Sequence, residues 1–169
     1  MKLLKVLTYG LILILVALTC SGCSTETSGE IKQDMPADFN FKVSYGTYGK
    51  QKIDTFNGVV VKDLVEDGTI KADIALTENE MRQIFKEMVD MDIMDGIKLE
   101  EFEECATEPA SYTGWTIQMN GETKTFDFST FCENSTEIRE LIELEEFIHE
   151  IVLAKNEYKE LPEAKGSYE

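Results

Sequence analysis

Between residues 39 and 45 large apolar side chains alternate with polar ones: Phe39, Phe41, Val43 and Tyr45 against Asn40, Lys42 and Ser44. A period of two predicts a strand with one buried face. Gly46 to Gln51 reads as a turn, and Thr55 to Lys62 as a β-rich run interrupted at Asn57-Gly58 by a turn or bulge. After a turn at Asp67-Gly68, Ile70, Ala72, Ile74 and Leu76 alternate with polar or small residues and predict a third strand.

The pattern then changes period. Met81, Ile84, Phe85, Met88 and Val89 recur at helical spacing, which predicts a helix ending between Asp92 and Asp95, before Gly96. Thr77-Glu78-Asn79-Glu80 has the form of a capping box, with Leu76 and Met81 placed as a hydrophobic staple. Residues 97–111 are acidic and irregular. Trp115, Ile117 and Met119 alternate up to Asn120-Gly121, and Phe126 and Phe128 alternate beyond it. Asn-Gly between alternating runs predicts a hairpin that sets Trp115 opposite Phe126 and Met119 opposite Glu122.

A second helix is expected from Asn134 or Ser135 to about Tyr158, with Asn134 and Glu137 in the N-cap and N3 positions. Ile138, Leu141, Ile142, Leu144, Phe147, Ile148, Ile151 and Val152 make a broad apolar stripe, with Glu140, Glu143, Glu145, Glu146 and Glu150 on the other face. The order β-β-β-α-β-β-α predicts an α+β domain: an antiparallel sheet of about five strands with two helices packed on one face. One domain is expected over residues 37–160, with a tail over 161–169.

The first 36 residues read differently. Lys2 and Lys5 precede the apolar run Leu7–Leu18, and small residues follow it up to Cys23. This is the layout of a secretory signal over residues 1–22. The run is shorter than the ~20 residues needed to span a bilayer. Cys20-Ser21-Gly22-Cys23 resembles the lipobox of bacterial lipoproteins, which implies a lipid on Cys23 and attachment to the outer face of the cell membrane. Cys20 stands where that motif usually has leucine. Residues 23–36 are mostly polar and read as a flexible tether.

Composition changes this picture in two respects. The leader holds two of the 16 basic residues and none of the 33 acidic ones, which leaves 14 against 33 and a net charge of −19. Such a polyanion disfavours nucleic acid and anionic lipid as partners and favours basic ones. With Cys20 and Cys23 assigned to the leader and the lipid, Cys105 and Cys132 remain. They border the predicted hairpin, and an extracytoplasmic location permits a disulfide between them.

Motifs for catalysis are absent from the sequence. There is no Gly-x-Ser-x-Gly, no His-Glu-x-x-His and no phosphate-binding glycine loop, and no cofactor or metal centre is expected. His149, the single histidine, reads as a solvated helix residue beside Glu145, Glu146 and Glu150. Asp90 to Glu101 has the outline of a calcium loop, but Met94 and Asp95 occupy positions five and six, where an oxygen ligand and glycine belong. Glu100, Glu101, Glu103, Glu104 and Glu108 form an acidic surface suited to a basic partner or a hard cation, and otherwise a solvated run. Tyr45, Tyr48 and Tyr112 fall near strand ends, where a glycan or peptide surface and a structural role both fit. Asn134-Ser135-Thr136 matches a glycosylation acceptor and fits a helix cap better.

The series Phe41-Lys42-Val43-Ser44-Tyr45-Gly46, Asp54-Thr55-Phe56-Asn57-Gly58, Val61-Lys62-Asp63-Leu64 and Leu76-Thr77-Glu78-Asn79-Glu80-Met81 resembles small uncharacterised lipoproteins of Gram-positive bacteria. The resemblance implies the anchor and the strand-to-helix order over residues 40–95, and brings no activity with it. The function expected is a non-enzymatic, lipid-anchored module that binds a protein, peptide or envelope component. A carboxylate-dependent hydrolase using Glu101 and Glu104, and a cation-binding acidic surface, are the alternatives.

Overall fold

The computed structural model describes residues 34–97, 99, 108–130 and 135–168. The chain divides at Asp34, and the unit described here starts at Met35, which packs on the core. It is an α+β fold. Six antiparallel strands are β1 (Asn40–Tyr45), β2 (Gln51–Asp54), β3 (Val59–Val65), β4 (Gly68–Asp73), β5 (Tyr112–Met119) and β6 (Glu122–Ser129), in the sheet order β4-β3-β2-β1-β5-β6. The helices are α1 (Glu78–Asp90), α2 (Thr136–Ala154) and the single turn α3 (Asn156–Lys159).

The register explains why one face is covered. Reading across the sheet, Ala72, Val60, Ile53, Val43, Trp115 and Phe126 form one continuous apolar row. Side chains one position away on each strand point to the opposite face. Ile84, Phe85 and Met88 of α1 and Leu141, Ile148 and Val152 of α2 are buried with that apolar row in a single core. Phe85 meets Phe39 edge-on at 5.2 Å. No helix of the described residues is long and apolar enough to cross a membrane.

The sheet has six strands rather than five because Gln51–Asp54 pairs between β1 and β3, burying only Ile53. The run expected from Thr55 to Lys62 is split: residues 55–58 turn, and β3 begins at Val59. The Thr55 hydroxyl extends the β1 ladder by donating to the Phe41 carbonyl at 2.9 Å and accepting from the Phe41 amide at 2.8 Å. Gly58 takes a φ of +62°, which glycine adopts without a Cβ penalty. The tight hairpin forms as expected, with Trp115 opposite Phe126 and Met119 opposite Glu122. Asp38 holds its tip by accepting from the Asn120 and Gly121 amides at 3.0 and 2.7 Å.

Thr77 and Glu80 form the full capping box of α1. Burial alone would raise the pKa of Glu80, yet hydrogen bonds from Lys155 and Thr77 hold it below the usual carboxylate range. Helix α1 stops at Asp90, and the left-handed residue after it is Asp92 at φ +52°, not Gly96. Ser135 caps α2 by accepting from the Ile138 amide at 3.3 Å, whereas Asn134 lies outside the described residues. The helix expected to run to Tyr158 breaks at extended Lys155 and resumes as α3. Residues past Pro162, expected as a tail, return to the sheet. Lys165 bridges to Val65 along the part of β3 that short β2 leaves open, and the Tyr168 hydroxyl donates to Asp63 at 2.6 Å.

Candidate functional site

Cys23, Cys105, Cys132, Glu100, Glu101, Glu103 and Glu104 lie outside the described residues. Of the acidic set only Glu108 is described, and its carboxylate accepts a hydrogen bond from the Tyr48 hydroxyl. Tyr48 and Tyr112 come together at one end of the sheet, where the Tyr112 hydroxyl donates to the Tyr48 carbonyl at 2.7 Å. Tyr45 does not join them. It is buried on the opposite, helix-covered face.

His149 departs from its expected place. It is half-buried against the sheet, with Nδ1 2.6 Å from the Tyr45 hydroxyl and its ring edge-on to both Tyr45 and Tyr158. Burial lowers the His149 pKa and raises that of Tyr45 well above its ordinary value. The Tyr45 hydroxyl and Nδ1 share one hydrogen bond, in which the phenol donates when the imidazole proton is on Nε2 and accepts when it is on Nδ1. Glu145, one turn earlier, also faces inward and accepts from the buried Thr113 hydroxyl at 2.6 Å. Burial, opposed by that hydrogen bond and assisted by the neighbouring Glu146 charge, pushes Glu145 up to about 7. Thr113 and Tyr45 are one position beyond the Ser44–Gly114 pair on adjacent strands, so Glu145 and His149 of α2 stand over one polar end of an otherwise apolar face. Glu145 sits four residues after Leu141 and three before Ile148, both fully buried, and that spacing was the signal for its inward direction.

A cavity of about 620 Å³ opens between α1 and α2. Leu144, Phe147 and Met91 give it an apolar floor. Glu87, Asp90 and Asp92 line the α1 side, and Glu140 and Glu143 the α2 side. The last turn of α1 holds no basic residue, so Asp90 and Asp92 lie at the negative end of its dipole. Lys86 pairs with Asp90 from one turn back. Among the described residues no three His, Cys, Asp or Glu side chains converge to hold a metal ion, so these acids stand along two walls rather than about one point. Sequence reading puts Glu140 and Glu143 on a polar helix face and Asp90 and Asp92 at a helix end; only the packing of α1 beside α2 makes them one surface with Glu87.

No family model, curated protein or solved structure matches the chain.

Proposed function

We propose that this chain is a lipid-anchored, non-enzymatic module of the outer membrane face that holds a basic, amphipathic segment of a protein partner in the groove between α1 and α2. The observation that carries this reading is an apolar floor of Met91, Leu144 and Phe147 between two acidic walls. An apolar floor favours side chains that leave water, at roughly 25 cal/mol per Å² buried. Carboxylates on both sides favour lysine or arginine flanking those side chains, the arrangement of a helix laid in a groove. The net charge of −19 without the leader steers basic partners toward the domain and repels acidic ones.

The test is calorimetric titration with a helix-forming peptide of lysine and leucine whose leucines share one face. Micromolar binding is expected at about 0.05 M salt, weakening at about 0.5 M as screening shortens the range of attraction. Glu140 and Glu143 are exposed, so replacing both by glutamine leaves the fold intact and weakens binding at least about tenfold. Equal affinity in the double variant removes the reading. The anchor has its own test. Cys23→Ser should abolish incorporation of labelled fatty acid and release the domain from membranes; a labelled, membrane-bound Cys23→Ser chain contradicts lipidation there.

A further inference from the structure

We infer that the face of the sheet opposite the helices, beneath the rim formed by Tyr48 and Tyr112, is a second binding surface, and that it takes an uncharged sugar chain. Tyr48 and Tyr112 are 37% and 44% exposed although both hydroxyls are held. The Tyr48 hydroxyl is held by Glu108 and the Tyr112 hydroxyl by the Tyr48 carbonyl. Tyr168 packs edge-on to Tyr48 at 5.8 Å, and its hydroxyl accepts from Lys50 at 2.9 Å while donating to Asp63. Rings fixed in this way lose little freedom when a ligand stacks on them.

The loop beneath them is shaped for that display. Gly46, Tyr48 and Gly49 all have positive φ, a conformation that disfavours a side chain such as that of Tyr48. Gly49 is also sterically required, since a Cβ there would fall 2.5 Å from Cε2 of Tyr112. The backbone is pinned by the Tyr48 amide, which donates to the Ala110 carbonyl at 2.8 Å.

The adjoining open face supplies hydrogen-bonding groups. Ser44 pairs with Lys52 on one side and Gly114 on the other, and Lys42 pairs with Thr116 in the next row. Gly114 leaves the mid-sheet backbone bare: among the described residues a Cβ there would meet Asp127 alone, at 3.8 Å. A bare backbone in a strand interior suits the close approach of a ligand. By register Lys42, Lys52 and Lys71 share this face with Asp54, Asp63, Asp73 and Asp127, so its charges nearly balance, whereas the groove on the helical side is acidic. A polycation is drawn to the groove, and a polyanion is repelled by the molecule as a whole. An uncharged sugar chain meets neither bias. Its C–H faces stack on tyrosine rings, and its hydroxyls exchange hydrogen bonds with Ser44, Thr116 and the lysines.

The experiment titrates the chain with soluble β-linked hexasaccharides of N-acetylglucosamine and of glucose, following backbone amide resonances. At least one should bind and shift the amides of Tyr48, Lys50, Tyr112 and Gly114 while sparing those of α1. Tyr112→Ala should weaken that binding about tenfold. Gly114→Val, which fills open space, should block it while the melting temperature holds. Glu140→Gln with Glu143→Gln should leave it unchanged, which separates this surface from the groove. The inference is overturned if neither sugar shifts those amides, or if both Tyr112→Ala and Gly114→Val bind as the parent does.

Discussion

Glu145→Gln should raise the melting temperature at pH 8 and leave it nearly unchanged at pH 4. Glu145 sits between α2 and the sheet, facing Thr113, with His149, Tyr45 and Tyr158 around it and Glu146 beside it on the helix. Its folded pKa is raised, from 4.5 to about 7. A raised carboxyl stabilises the fold fully below its unfolded pKa, and that contribution fades as pH rises through the folded value. Above pH 7 the native state holds a desolvated carboxylate that the unfolded chain would solvate freely. The full shift corresponds to roughly 3 kcal/mol, and partial wetting of the carboxyl reduces this to about 2. Glutamine keeps an oxygen for Thr113 and carries no charge. The expected gain at pH 8 is therefore about 2 kcal/mol, or roughly 5–10 °C in a domain of this size. His149 has the opposite sign: its pKa is lowered, so its contribution is present above its ordinary value and is lost on acidification. It is common to both proteins and cancels in the comparison. An equal gain at pH 4 and pH 8, or a loss at pH 8, contradicts the assignment.

Lys124→Met should destabilise the fold by about 2–4 kcal/mol at neutral pH. Lys124 pairs with Ile117 and so lies on the helix-covered face of β6. Its ammonium donates to the carbonyls of Ile93, Met94 and Ile97 at 3.0, 3.0 and 3.2 Å, and lies 5.6 Å from the Phe126 ring centroid. Those carbonyls belong to the turns after α1, which has no basic residue in its last turn. Methionine retains the apolar stem but leaves the three acceptors without their charged donor. Urea unfolding should show a lower midpoint with an unchanged slope. A loss below about 1 kcal/mol would mean that water replaces the ammonium without penalty.

What could be read from the sequence was local. Thr77 and Glu80 specify a cap within four residues, and Asn120-Gly121 specifies a turn within two. Gln51–Asp54 was hidden because a strand burying only Ile53 has no alternation to detect, and two turns crowd it. Residue type alone places His149 and Glu145 on the polar face, whereas the packing of α2 puts both against the sheet. Lys124 interrupts an apolar face, and its purpose appears only once residues 93–97 lie over β6. The Tyr168–Asp63 contact joins residues 105 apart in sequence, and the groove requires two helices 45 residues apart to pack side by side. No local pattern encodes either.

Amide shift mapping of the labelled chain with the lysine–leucine peptide tests the groove most directly. Shifts should concentrate at residues 87–92 and 140–147, saturate together and collapse in the Glu140→Gln, Glu143→Gln variant. Saturable shifts that fall on the open sheet face instead, or that persist undiminished in that variant, would contradict a basic segment held between α1 and α2.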